Sequence, residues 1–333
     1  MTTCQQSEEQ GKAALSRRDF IKTATFAAGS ALLMATAVAN EKALAAVPED
    51  LLTGVSDIHI HAAPDSRPRS ITELGFAREA QQAGYRAVMY KSNDWSCHDR
   101  AFLIREALPD FEVFGSIIMN RLLGDRVNAY AAEQALKTTG NLCRCIWMPT
   151  QDAAYQCTQE KRGGGIPVLD ASGRVLPEVV RVMEICAEAN IIFATGHSAP
   201  VENLTLARKA REVGVDKFVA THVNSLIWTM TPDQMRQIVD LGGFVELSCL
   251  PCFWGPGTTM PQFPSMSWAD FASFARIVPE HTFISTDMGQ AGLPTPLEGM
   301  RATILSLLKA GFSRTQVDTM VKINPARLMG LRT

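Results

Sequence analysis

From Val55 onward, short apolar runs alternate with stretches of helical spacing, eight times over. A strand covered on both faces reads as a continuous apolar run. A helix packed on a sheet shows apolar residues three and four apart. The strand segments are "GVSDIHIH", "RAVMYKS", "FEVFGSIIMN", "LCRCIWMPT", "IIFATGH", "KFVATH", "GFVELS" and "HTFISTD". Helical patterns such as "ITELGFAREAQQAGY" and "VENLTLARKAREVG" lie between them. Eight such units predict an α/β fold, a (β/α)8 TIM barrel. An open doubly wound sheet is the alternative, but no GxGxxG follows the first strand. A small insertion is expected after strand 4, where "KRGGGIPVLDASGRVLP" carries the turn signals of a hairpin. Extra C-terminal helices are expected in "LEGMRATILSLLKAG" and "SRTQVDTMVKINPARLMGL".

The bulk numbers agree with one soluble domain. The chain has 333 residues, 46% of them hydrophobic and 20% charged, and a net charge of −2. That balance gives no broad electrostatic case for nucleic acid or an acidic membrane surface. A small-molecule partner and self-association into a homo-oligomer are compatible with it.

Residues 1–46 read differently from the rest, and residues 47–333 are taken as the barrel. "SRRDFIK" places Arg17 and Arg18 ahead of "TATFAAGSALLMATAVA", and "ALA" (Ala43 to Ala45) offers small residues for cleavage. This resembles a bacterial twin-arginine export signal, with Ile21 where leucine is more usual. The resemblance implies export of a folded protein to the periplasm or beyond, with no membrane attachment after cleavage. An uncleaved anchor is the alternative, and the weak Ala/Gly/Thr hydrophobicity argues against it. Of eight cysteines, Cys4 falls in this signal. "CRC" at Cys143 to Cys145 and the lone "CLPC" at Cys249 to Cys252 are read as core or loop thiols rather than a zinc site.

Functional groups of such a barrel gather at the carboxyl ends of its strands. Those ends carry His59 and His61 on strand 1, Lys91 on strand 2, His197 on strand 5, His222 on strand 6 and Asp287 on strand 8. Residues two apart on a strand point the same way, so His59 and His61 aim at one place. A divalent metal at ~2.0–2.1 Å from each nitrogen gives two buried imidazoles a common partner. Asp57 would share that face one layer deeper and orient a ligand. Glu246 on strand 7 has no fixed direction, because periodicity does not assign one. His281 lies six residues before Asp287, about 20 Å away at ~3.3 Å per residue, and is expected on the opposite rim. His98 is read as a loop residue on the correct rim, either touching substrate or solvated. Trp95, Trp228 and Trp254 are candidates to line an apolar site, and Arg67, Arg69, Arg121, Lys161 and Arg162 to meet an anionic substrate. Packing under loops and solvated surface charge are the plainer readings of these two sets.

With these residues in place, the chain resembles the amidohydrolase superfamily of metal-dependent barrel hydrolases over about residues 55–331. The carriers are the HxH of "DIHIH", His197, His222, Asp287 and the C-terminal "NPARLMGL". "DIHIHAAPD", "KRGGGI", "ATGH" and "STDMGQ" are similar to a poorly characterised bacterial branch of predicted metal-dependent hydrolases. The resemblance implies that His59, His61, His197, His222, Asp287 and Lys91 hold one or two divalent ions, zinc first, with manganese or iron as alternatives. It implies Asp287, His222 and Lys91 as catalytic groups. Binuclear relatives commonly bridge their ions with a strand-4 carboxylated lysine or glutamate; "IWMPTQD" offers neither, which leaves the bridge to Lys91 or the site with one ion. The expected reaction is hydrolysis of a C–N or C–O bond in an amide, cyclic amide, lactone or ester. A metal-dependent decarboxylase or other lyase on the same scaffold and a non-catalytic periplasmic binding protein are the rival functions.

Overall fold

The computed structural model describes residues 51–332, so the expected export signal at 1–46 lies outside the described residues. The eight strands are β1 Ser56–Ile60, β2 Ala87–Tyr90, β3 Glu112–Ile118, β4 Cys143–Trp147, β5 Ile192–Ala194, β6 Phe218–Ala220, β7 Phe244–Ser248 and β8 Thr282–Ser285. They form one parallel sheet in sequence order, each strand bonded to the next. Helices run between them: α1 Glu73–Gln82, α2 His98–Ala107, α3 Ala129–Lys137, α4 Ala154–Gln159, α5 Pro177–Ala189, α6 Pro200–Val213, α7 Pro232–Asp240 and α8 Trp268–Ala275. Three more follow β8: α9 Pro296–Lys309, α10 Arg314–Asp318 and α11 Asn324–Leu328. This is a (β/α)8 barrel.

Local chemistry explains where the helices start. Pro177, Pro200, Pro232 and Pro296 occupy first helical positions, where a missing N–H costs nothing. Thr231 with Gln234, and Thr295 with Glu298, make reciprocal capping boxes. α5 ends on Asn190 in the left-handed region at φ +51°. The strands are short and, Glu112 and Arg144 apart, buried, and their side chains build a core that includes Tyr90, Trp147, Phe193 and Phe283. The final helix is tied to the base of β8 by Asn324, whose amide donates to the carbonyls of Glu280 and Thr282 at 3.0 and 2.6 Å.

The seam between β8 and β1 closes the barrel beyond the end of β8. Asp287 N–H donates to the His59 carbonyl, and His61 N–H to the Met288 carbonyl, both at 2.8 Å. A Cβ on Gly289, at φ +122°, would lie 1.6 Å from the His61 carbonyl oxygen. Only glycine permits this approach.

The insertion after β4 contains the expected hairpin in minimal form, one antiparallel bridge between Leu169 and Val175. Asp170 shapes its turn by accepting from Ser172 N–H at 2.8 Å and Arg174 N–H at 3.0 Å. The helix α4 ahead of it was not expected. All seven cysteines of the described residues are free, Cys249 and Cys252 included. Among the described residues, no helix is long and apolar enough to cross a membrane.

Candidate metal centre

The paired histidines at the end of β1 meet the aspartate that follows β8. His59 Nε2 lies 3.0 Å, and His61 Nε2 3.2 Å, from the same oxygen, Asp287 Oδ1. Among the described residues, these three form a group whose ligand atoms all lie within 4.8 Å of one another. A tetrahedral ion at ~2.0–2.1 Å from its donors sets them roughly 3.3 Å apart. The donor set, two imidazoles and a carboxylate, and its spacing therefore fit a divalent cation. Asp287 adopts φ +56° and His222 φ +30°, uncommon for residues with a side chain. Such conformations cost on the order of 1–3 kcal/mol and persist where their surroundings over-determine them. Asp287 is fixed in this way by the seam bond through its N–H and by Gln290 Nε2, which donates to its carbonyl at 2.8 Å.

Glu246 on β7 is the residue the sequence left without a direction, and it proves central. Its Oε1 lies 2.6 Å from both His59 Nδ1 and Ser285 Oγ, and its Oε2 accepts from His222 N–H at 3.1 Å. A carboxylate on Nδ1 holds that nitrogen as the donor and leaves the Nε2 lone pair facing Asp287. Burial disfavours a charged His59, yet Asp287 and Glu246 together raise its pKa. Burial likewise works to raise Asp287, but His59 and His61 outweigh it and hold the carboxyl well below its ordinary value.

Asp57 lies one layer deeper, as expected, and acts through backbone and hydroxyl groups. It accepts from Thr286 Oγ1 at 2.5 Å, Thr286 N–H at 3.2 Å and His59 N–H at 3.3 Å, rather than from an imidazole ring. It thus secures the segment that presents Asp287, and burial pushes its pKa up to about 7. Lys91 is buried with Nζ 3.0 Å from His59 Nε2 and 4.7 Å from the centre of the Trp147 ring. Burial lowers its pKa. The end of β4 presents that indole, also 4.7 Å from the His59 ring.

His197 and His222 form a neighbouring pair, with ring centres 4.8 Å apart. The His222 ring lies 6.2 Å from that of His59. Trp228 covers the pair at 4.1 Å from His197 and 4.6 Å from His222. His197 Nδ1 lies 3.1 Å from Gln156 Oε1, and a carbonyl oxygen only accepts, so Nδ1 carries the proton and Nε2 stays free. Gln156 comes from the unexpected helix α4. His222 Nδ1 is buried with no partner. Burial lowers the pKa of both rings, that of His222 to about 4. Gly196 allows β5 to turn here, since a Cβ at its φ of +60° would meet the Met148 and Pro149 carbonyls at 2.4 Å.

These groups sit at the base of a cavity of about 780 Å³, lined by His61, Lys91, His197, His222 and Asp287 and walled by the strand-end loops. Trp228, Trp254, Arg67, Arg69 and Arg162 line it as expected. Arg69 is nevertheless committed, 3.1 Å from Asp65 Oδ2 and 3.3 Å from His61 Nδ1. Four expectations fail here. Trp95 is exposed and outside the lining. Arg121 and Lys161 are also outside it, and Arg121 pairs with Asp125 at the surface. His98 opens α2, buried, with Nε2 3.2 Å from Thr138 Oγ1, so it is neither a solvated nor a cavity residue. His281 lies at the start of β8 with its ring 5.2 Å from Phe244, as expected of the opposite end.

Solved structures share this architecture. An amidohydrolase from Pseudomonas aeruginosa matches with TM-score 0.56 and 12% identity, over 85% of this chain and 98% of that one. An organophosphorus hydrolase from Deinococcus radiodurans matches with TM-score 0.54 and 16% identity, over 85% and 94%. A mutant phosphotriesterase-like lactonase from Deinococcus radiodurans matches with TM-score 0.54 and 16% identity, over 86% and 98%. At such identities the likeness speaks for the fold. No curated protein matches the chain. The model of a family of unknown function, DUF6282, matches residues 54–246, and the chain belongs to that family.

Proposed function

We propose that this chain is a metal-dependent hydrolase of the amidohydrolase type, cleaving a C–N or C–O bond of a small molecule. The observation that carries the reading is the single oxygen, Asp287 Oδ1, on which His59 and His61 converge at 3.0 and 3.2 Å. His59, His61 and Asp287 would hold a divalent ion, with His197 as the further candidate ligand. Zinc suits imidazole and carboxylate donors, and manganese or iron are the alternatives. A second ion would rest on His197 and His222, with Lys91 as the candidate bridge. A divalent cation there supplies Lewis acidity, polarising a carbonyl oxygen and acidifying water.

The remaining chemistry belongs to the chain. Asp287 Oδ2 is the oxygen not shared by the imidazoles, 3.4 Å from Ser248 Oγ, and the side chain keeps 14% of its surface exposed toward the cavity. It is placed to take a proton from the attacking water and return it to the leaving group. His222 faces the developing oxyanion. Trp228 and Trp254 exclude water, and the mouth arginines favour an anionic substrate. The twin-arginine-like segment supports a periplasmic or extracellular location.

The test is metal analysis of protein purified without added metal, followed by a screen of lactones, amides, esters and aromatic acids. Hydrolysis that follows metal content supports the reading. Carbon dioxide release without hydrolysis, or tight ligand binding without product, overturns it.

A further inference from the structure

One wall of the cavity draws two cations onto one neutral residue. Arg67, in the loop after β1, donates from Nη2 to the side-chain oxygen of Gln151. Arg162, in the insertion after β4, donates from Nη2 to the backbone carbonyl of the same Gln151. Both guanidinium groups are exposed and both line the cavity. Like charges gathered in this way repel unless anions neutralise them. Arg162 has such an anion in Glu160 at 2.6 Å. Arg67 has no carboxylate partner for its guanidinium among the described residues. The nearby acids do not meet that guanidinium. Asp65 Oδ1 accepts from the Arg67 backbone N–H at 3.2 Å and its Oδ2 from Arg69, while Asp94 accepts from Ser66, Asp152 from Arg121 N–H, and Asp287 faces the imidazoles.

The loop after β7 brings the opposite chemistry to the same cavity. Trp254 and Phe263 stack there with ring centres 4.8 Å apart and planes inclined at 33°. Both line the cavity and give this side of it an apolar wall. At about 780 Å³, the cavity has the size of a pocket that encloses one small organic molecule.

We propose that Arg67, assisted by Arg162, clamps an oxyanionic group of the substrate, while Trp254 and Phe263 receive its apolar or aryl remainder. The substrate class is an amphiphilic organic acid, a carboxylate or phosphonate. Within the hydrolase reading, on which only the chemistry of cleavage rests, the scissile bond lies between its two ends. The guanidinium fork accepts either oxyanion in two parallel hydrogen bonds. Gln151 holds the Arg67 fork from one side, so part of its ordering entropy is already spent before the ligand arrives.

The test is calorimetric binding of phenylacetate, phenylphosphonate and neutral phenylacetamide to the metal-loaded full chain. One of the two anions is expected to bind at least about tenfold more tightly than the amide, and the tighter of them names the oxyanion. Arg67→Met removes most of that preference, Arg67→Lys keeps part of it, and Trp254→Ala weakens all three ligands alike. Equal binding of amide and anions overturns the clamp. So does a preference that survives in Arg67→Met, because the anion then sits on the metal centre. Binding needs no turnover, so the two readings fail separately. Anion preference without hydrolysis removes the hydrolase and leaves the clamp, whereas hydrolysis of neutral esters without anion preference does the reverse.

Discussion

On the β1–β8 side of the centre, His59 rests on Glu246 at 2.6 Å, and both β1 imidazoles meet Asp287 across a seam of two backbone hydrogen bonds. On the β5–β6 side, His197 is held by one amide oxygen from an insertion helix, and His222 Nδ1 has no partner. The first half is built from strands and from the closure of the barrel itself. The second is tied to the scaffold through its backbone, His222 N–H to Glu246 and His197 N–H to the Pro149 carbonyl, while its rings are held less firmly under Trp228. Groups fixed by the scaffold hold geometry within tenths of an ångström, and groups carried by loops adapt. On the proposed reading, the β1–β8 side would be the rigid part of the ion site, and the β5–β6 side, His197 included, its adaptable part, where substrate-dependent adjustment falls.

Substitutions test that division, and the largest effect is expected at Asp287. Asp287→Asn retains an oxygen for the ion but cannot carry the proton. Metal content is expected to survive while kcat falls roughly 10²–10⁴-fold. Unchanged kcat would remove Asp287 from proton transfer. Glu246→Gln comes next, since it takes the charge from His59 Nδ1 and Ser285. Ion affinity should drop about 10–100-fold by chelator competition. Gly289→Ala attacks the seam at the His61 backbone without changing any ligand side chain, and the 1.6 Å approach to the His61 carbonyl predicts a loss of about 3 kcal/mol or more in denaturant unfolding. Gln156→Leu acts on the softer side, where a change of only about threefold in ion affinity is expected, with a larger effect on KM. If Gln156→Leu lowers ion affinity as much as Glu246→Gln, the division is wrong. His281→Gln at the far end is the smallest perturbation, leaving metal content unchanged.

Much of the barrel was legible because each strand is a short apolar run and most of the helices, α2 and α4 excepted, carry a side-chain cap or an N-terminal proline. The site was legible wherever a polar residue closes such a run: the HxH spacing, His197, His222 and Asp287 all do so. Glu246 was not, because β7 is covered on both faces and "FVELS" shows no alternation to say which way its carboxylate points. Gln156 was missed because α4 has six residues, too few for helical periodicity to emerge. Asp57 was expected one layer deeper, orienting a ligand; it does so through the backbone, accepting from His59 N–H and from Thr286 beside Asp287, partners no spacing in the sequence could name. His98 looked like a loop residue because nothing in its sequence placed Thr138, forty positions away, beside its ring.

Metal stoichiometry and affinity address the central claim most directly, measured by elemental analysis and calorimetry on the full chain and on a His59→Asn/His61→Asn variant whose circular dichroism matches the parent. The account predicts at least one divalent ion per parent chain, retained through gel filtration, and none in the variant. A parent chain that takes up no stoichiometric zinc, manganese or iron, or a variant that binds as tightly as the parent, would contradict it.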